Sequence, residues 1–353
     1  MKYSLKKPIA LIIIVGAFYS CSSTNLMSLS VLQPARVTVP PNIKKVGIVD
    51  RSKTVPENRT IDAIHRVVSM ETTNLQVQGA NAGIAGLKDE LMKNSRFTEV
   101  KALTAVDLRS FGVGVFPSAL AWDTVEKICR ENNIDALFAM ELFDTESKLS
   151  YAGVPATLRT GIGNLGAIEQ QVSMVTLVKT GWRIYDPFSR NILDEYIINK
   201  DLQFAGRGIN PAAAASSLIG RIEAVKQVSN CAGQAYGDRI LPYWIRVSRN
   251  YYTGGNGNFT IAMRMAQTGN WDGAAKIWLE ETRNGSGKLA GRACYNMAII
   301  SEINGDLDGA MGWAQNAYEK YNTPLALNYV NILRCRKTDN SVLKEQNAVS
   351  QVP

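Results

Sequence analysis

Short apolar runs separated by stretches of helical period fill the first two-thirds of this chain, and the pattern changes near residue 254. Lys45 to Asp50 is an apolar run closed by Asp50-Arg51-Ser52 and predicts a strand. Helical regions are expected over 59–70 and 80–94, the second because Ile84, Leu87, Leu91 and Met92 recur three to four apart. Ser95-Arg96 turns into a strand over Phe97 to Val100. Helix 122–132 places Trp122, Val125, Ile128 and Cys129 on one face, with Asn132-Asn133 as its stop. Ala136 to Phe143 reads as an apolar strand, central and buried. Residues 145–171 read as a long loop. The clearest hairpin is 172–186 with 191–199, because Val172, Met174, Thr176 and Val178 alternate and Asp186-Pro187-Phe188-Ser189 supplies the turn. Pro211 opens a helix over 211–231. Residues 241–252 read as the last strand, and Gly254-Gly255-Asn256-Gly257 as the domain boundary.

Beyond that boundary the chain repeats itself. Gly269-Asn270-Trp271-Asp272-Gly273-Ala274 aligns with Gly305-Asp306-Leu307-Asp308-Gly309-Ala310. Ala262 and Ala298 precede the two glycines at equal distance, and Trp278 and Ala314 follow them. Small residues at Ala262, Ala274, Ala298, Ala310 and Ala317 let helices approach, while Trp271, Trp278 and Leu307 fill the gaps. The spacing of 36 residues (269 to 305) and this pattern resemble tetratricopeptide repeats. Pro324 opens a third helix, Leu325 to Arg334, that caps the stack.

The expected fold class is therefore α+β: a mixed-sheet α/β sandwich domain over 43–253, followed by an all-α tetratricopeptide-like repeat unit over 258–335, with 336–353 a disordered tail. The start of the chain has its own logic. Lys2, Lys6 and Lys7 precede an apolar run from Ile9 to Val15, too short to span a bilayer and suited to a cleaved signal over 1–20. Cys21 closes that segment and resembles the cysteine of a bacterial lipobox, although Phe18 and Tyr19 depart from the usual pattern. The resemblance implies a diacylglycerol on Cys21, with 21–42 as a lipidated tether. Ser22 is not acidic and no acidic cluster follows, which by resemblance to sorting rules favours an outer-membrane anchor facing the periplasm.

Composition narrows the function classes. The net charge of +8 falls to +5 without Lys2, Lys6 and Lys7, and the basic residues form no block, so nucleic-acid binding is a poor reading. His65 is the sole histidine, which excludes zinc sites built on several histidines. The cysteines after Cys21 are Cys129, Cys231, Cys294 and Cys335, with no CxxC. Cys294 and Cys335 fall ~10 Å apart along the stack, too far for a disulfide; whether Cys129 or Cys231 pairs stays open.

Several features of residues 40–252 carry a family resemblance: Asp50-Arg51-Ser52 after the first strand, Leu91 to Phe97 before the second, Asn133-Ile134-Asp135-Ala136 before the third, and Arg183-Ile184-Tyr185-Asp186 in the hairpin. They resemble a group of envelope proteins comprising the N-terminal domain of the translocation protein TolB, the curli-secretion lipoproteins and the lipoprotein activators of penicillin-binding proteins. The chain as a whole is similar to an uncharacterised lipoprotein family of Bacteroidetes-type bacteria.

No motif points to a reaction. Gly161-Ile162-Gly163-Asn164-Leu165-Gly166 matches a dinucleotide fingerprint, but a strand follows it where a helix is required. Gly112-Val113-Gly114-Val115 has the same standing. His65, with Asp62 three residues before it, reads as a surface or capping residue. Glu280-Glu281, Asp306 and Asp308 read as helix-end carboxylates that favour the helix dipole. Tyr243, Trp244, Tyr251 and Tyr252 form an aromatic cluster suited to packing, or to stacking on a glycan. The expected function is non-enzymatic, with no cofactor and no metal: a membrane-tethered protein that binds or scaffolds an envelope partner. Trp182, Trp244, Tyr251 and Tyr252 are its candidate binding residues. The alternatives are a glycan or peptidoglycan binder and a subunit of an envelope secretion or assembly complex.

Overall fold

The computed structural model describes residues 23–53, 63–93, 95–108, 116–160 and 163–347, with the backbone alone at 63–73, 155–160, 163–168, 284 and 347. It is an α+β protein of two compact units. Of the described residues, one contains Pro34–Tyr243 together with those from Leu343 on; the other contains those up to Gln33 together with Trp244–Val342. The first described element is β1 (Thr24–Gln33), which pairs with β7 (Tyr243–Tyr252) in a two-stranded sheet.

The five strands between them are β2 (Lys45–Asp50), β3 (Glu99–Ala102), β4 (Ala136–Thr160), β5 (Gly163–Asp186) and β6 (Asn191–Gly208), in the order β3-β2-β4-β5-β6. β2 runs parallel to β3 and β4, and β4, β5 and β6 are successively antiparallel. α1 (Ala63–Met92) links β2 to β3, and α2 (Trp122–Asn132) links β3 to β4. α3 (Pro211–Ser216) and α4 (Arg221–Gly237) follow β6. Alternation along β2 feeds two cores. Val46 and Ile48 join Leu87, Leu91, Val225 and Tyr236 on the face covered by α1 and α4, and Val49 joins Val125, Ile128 and Cys129 of α2 on the other. The Asp135 carboxylate accepts the Lys44 and Lys45 amides at 2.7 Å each, which pins the start of β2 to that of β4.

Glycine sets the helix spacing. A Cβ on Gly233 of α4 would overlap the Gly83 carbonyl oxygen of α1, and one on Gly86 would overlap the Asn230 carbonyl oxygen. α1 is one helix where two were expected. Gly79 lowers local propensity, but packing on α4, where Val225 lies against it, carries the helix through. The helix expected over 211–231 is instead two, broken before Arg221, with Gly220 as the N-cap of α4.

The stretch expected to be a loop is the largest departure. Residues 145–160 and 163–171 lie in the antiparallel β4–β5 pair, which runs in register out to Thr160↔Gly163. Near its base the pair carries a bulge at Glu141, whose side chain is 1% exposed. Its carboxylate accepts Arg51 Nη1 at 2.7 Å and the Tyr185 hydroxyl at 2.5 Å, with Arg183 Nη1 at 3.7 Å. Burial and the neighbouring carboxylate push the Tyr185 phenol up to about 12.

The second unit contains β1, β7 and the helices α5 (Gly257–Gln267), α6 (Trp271–Asn284), α7 (Gly287–Ile303), α8 (Leu307–Glu319) and most of α9 (Ala326–Asn347). Two expectations are corrected here. Residues 24–33, read as tether, form β1, and β7 pairs with β1 and not with the main sheet. The tail expected to be disordered from Arg336 on is helical to Asn347: Leu343 is buried, and Gln346 bonds the Ala35 amide and carbonyl at 2.9 and 3.0 Å.

The repeat is visible as two copies of one turn. Gly269 and Gly305 have φ of 82° and 79°, and each lets the next amide reach back to the preceding helix, Asn270 to Met265 O and Asp306 to Ser301 O, both at 2.9 Å. Asn270 Oδ1 and Asp306 Oδ1 then cap the following helices by accepting the Gly273 and Gly309 amides at 2.9 and 2.8 Å. A Cβ on Gly273 or Gly309 would press into that capping side chain, so this glycine belongs to the cap.

Two glycine substitutions should move stability in opposite directions. Gly233→Ala forces α1 and α4 apart and should cost about 1–3 kcal/mol. Gly312→Ala, inside α8 with nothing within 4 Å of the added carbon, should stabilise by about 0.5–1 kcal/mol. Urea midpoints of the two variants against the parent test both signs.

Candidate functional site

The β1–β7 ribbon and the helices that close on it form the candidate site. Ser23 O accepts the Thr253 amide at 2.9 Å, so the start of β1 lies beside the end of β7 and the pair is antiparallel. Along both strands side chains alternate between burial and solvent. Val31, Arg249 and Tyr251 point inward. The Tyr251 ring meets Trp271 and Trp278 at 5.6 and 6.0 Å, and Tyr252 meets Tyr295 at 5.3 Å. Asn296 of α7 acts as a strand would for Tyr252, accepting its amide and donating to its carbonyl at 2.7 Å each.

At the centre is Glu302, whose side chain is wholly buried. Arg249 donates through Nε at 2.8 Å and Nη2 at 2.9 Å, a two-pronged pair. The Tyr329 hydroxyl and Arg336 Nη1 of α9 donate at 2.6 Å each. Burial by itself would raise this carboxyl, but the bonds from Arg249, Tyr329 and Arg336 outweigh it and hold Glu302 below the usual glutamate range. Burial beside Glu302 drives Tyr329 far in the other direction, so it stays a neutral donor. One carboxylate against two guanidiniums leaves the cluster a net positive charge.

Beside this cluster is a cavity of about 530 Å³, lined by Met27 to Leu32 of β1, Trp244 of β7, Trp271, and Glu302, Arg336 and Asn340. Six consecutive β1 residues line it, so main chain as well as side chains face the space. In the two-stranded sheet β1 has one partner, β7. Trp244 is 69% exposed.

Of the candidate binding residues, only Trp244 offers a free ring. Trp182 is 0% exposed and stacks on Tyr236 at 5.1 Å in the core of the α/β unit, so it has no surface for a partner or a glycan. Tyr251 and Tyr252 are core residues of the helical unit. Cys21 lies outside the described residues, as do the His65 side chain, residues 112–115 and Gly161-Ile162 of the glycine motif. Glu281 does not serve the helix dipole: it sits in the last turn of α6, and its carboxylate accepts Asn256 and Asn258 at 3.0 and 2.6 Å. The cluster residues Arg249, Glu302 and Arg336 were missed. A signal existed, because Glu302 stands where the preceding repeat has Ala266, a charge in a small-residue position.

Cys129, Cys231, Cys294 and Cys335 are free thiols, and burial pushes Cys129 up to about 12 and Cys294 to about 11, well away from a thiolate at neutral pH. Among the described residues no group of three or more His, Cys, Asp or Glu side chains could hold a metal ion. No described helix is long and apolar enough to cross a membrane.

The class defined by this architecture is an α+β protein that joins a mixed sheet to a helical repeat unit. Residues 43–252 match the model of a Domain of unknown function (DUF8603), and the chain belongs to that family. Residues 260–335 match a second, Domain of unknown function (DUF6340). No curated protein matches the chain. Among solved structures, a PelC dodecamer from Paraburkholderia phytofirmans is 12% identical over 61% of this chain and 98% of that one, with a TM-score of 0.23. A putative neuraminyllactose-binding hemagglutinin homolog from Helicobacter pylori is 10% identical over 55% of this chain and 81% of that one, with a TM-score of 0.17. Likenesses at these TM-scores carry no argument about this chain.

Glu302→Gln should cost about 3 kcal/mol, because it leaves two guanidiniums without a counter-charge beside a buried site. The pH dependence has a fixed sign. A carboxyl held below its ordinary value of 4.5 contributes stability above that pH and loses it as pH falls through the folded value. Urea midpoints at neutral pH and near pH 3 should therefore differ less in the variant than in the parent.

Proposed function

We propose that this chain is a lipid-anchored envelope protein that holds a segment of another envelope protein in its helical unit and catalyses no reaction. The observation that supports this most is the cavity in front of β1. It combines an unpaired strand edge, an exposed Trp244 ring and a net positive cluster at Glu302. An extended acidic segment fits all three: it adds beside β1 through main-chain bonds, covers Trp244 and sets a carboxylate near Arg336. The anchor is read from Lys2 to Cys21, and tethering would raise the local concentration of the site at the membrane.

Crosslinking of the membrane-bound full chain, with mass spectrometry of what copurifies, tests this. One dominant protein partner is expected, lost in Cys21→Ala and reduced about tenfold in Trp244→Ala. Self-crosslinks alone, or no protein at all, would overturn the reading. The second outcome would favour the glycan alternative.

A second reading has its own observation. β2 covers β4 only as far as Met140, whereas β5 follows β4 to Thr160. The other edge of β4 from Phe143 onward therefore has no strand partner among the described residues over roughly 60 Å, and Leu149 and Tyr151 of that stretch are exposed. An open edge of that length is a template for another chain, which suits a subunit of an envelope assembly. Mass photometry of the full chain should then show large oligomers, and a monomer would remove this reading.

A further inference from the structure

The α/β unit holds a second cavity, of about 420 Å³, at the carboxyl ends of β2 and β3 against one face of α1. In open sheets with parallel strands, ligands collect outside the carboxyl ends of the strands. Here the β2–β4 side of that end is filled by Glu141, Arg51, Arg183 and Tyr185. The β2–β3 side is left open.

Asp50 is the telling residue. It ends β2, lines this cavity and is 8% exposed. Its Oδ1 accepts the Ser52 amide at 2.9 Å and the Ser52 hydroxyl at 2.7 Å, which fixes the carboxylate. Its Oδ2 is buried and has no hydrogen-bond partner. A buried carboxylate oxygen without a donor costs ~1–3 kcal/mol or more, and such a group calls for a ligand to complete it. Lys53, Lys88 and Asp89 line the same space, and none of the three has an ion-pair partner among the described residues. The floor between them is apolar, made by Ile48, Ile84 and Leu103.

We infer that this cavity binds a small zwitterion with an apolar body, of the free amino-acid class. Its ammonium donates to Asp50 Oδ2, its carboxylate is neutralised by Lys53 and Lys88, and its side chain rests on Ile48, Ile84 and Leu103. Two carboxylates, Asp50 and Asp89, stand against two lysines, Lys53 and Lys88, so a ligand bearing both charges is matched, while a plain amine or a plain carboxylate meets only one sign of the lining. The volume suits a molecule at the small end of ordinary ligand sites. The inference is independent of any partner held by the helical unit.

The test uses the full chain and three related probes: L-phenylalanine, phenethylamine and 3-phenylpropionate, followed by the other apolar L- and D-amino acids. Saturation-transfer NMR and thermal shift read binding up to about 10 mM. At least one amino acid should bind, and its amine-only and carboxylate-only analogues should bind at least about tenfold more weakly. Asp50→Asn should weaken that binding about tenfold or more, as should Lys88→Met, a change on a half-exposed helix position that leaves the core intact. The inference is overturned if no amino acid binds, if an analogue binds as well as its parent, or if binding in a folded Lys88→Met variant is unchanged.

Discussion

A carboxylate taken out of water must be paired, and each unit of this protein is assembled around one that is. Glu141 in the sheet and Glu302 in the helices have the same company: two arginines and a tyrosine hydroxyl. The partners come from separate elements. Arg51 follows β2 while Arg183 and Tyr185 lie on β5; Arg249 lies on β7 while Tyr329 and Arg336 lie on α9. Neither cluster can be complete until those elements are in place. Buried ion pairs add little net stability over a well-packed apolar alternative, but they penalise every arrangement that leaves a charge alone. Asp50 is the contrast, since half of its carboxylate is satisfied within the chain and half is not. That difference separates a structural cluster from a candidate binding group.

The same argument explains why the two repeats are not interchangeable. Ala262, Ala274, Ala298, Ala310 and Ala314 are all buried small residues, and a stack of helices made only of such positions could slide by one repeat at modest cost. Glu302 in place of Ala266 removes that freedom. It must face Arg249 and α9, and only the second repeat can do so. Glu302 thus adds to the register already set by the unequal core volumes of Trp278 and Ala314, whereas the turns between helices come from the duplicated glycine and Asx caps.

Local period and turn chemistry made much of the fold legible. β2, α2, the β5–β6 turn at Asp186 and both repeat turns follow from residues within a few positions of one another. Asn133, the expected stop of α2, is its left-handed C-cap with φ 52°. The departures share a cause in long-range contact. Nothing near residues 24–33 says that they pair with 243–252, because the complementary alternation is over two hundred residues away. The β4–β5 arm was hidden by glycines and by polar positions that face solvent, so its alternation is weak along much of its length. Aromatic residues misled in a different way. Trp182, Tyr251 and Tyr252 have the composition of a binding surface, yet large rings are also the most effective core fillers, and only burial tells the two uses apart.

The pairing of β1 with β7 also changes what an anchor at Cys21 would hold. With 21–42 as a tether, the lipid would be joined to the α/β unit by a long flexible chain. With β1 beginning at Thr24, the lipid-bearing residue would be at most ~10 Å of extended chain from the strand. That strand belongs to the helical unit. On the proposed reading, the unit held at the membrane is therefore the one with the Trp244 cavity, and the leash is too short to let it roam. A partner segment would have to come to the bilayer surface to reach β1, which favours partners that are themselves membrane-bound.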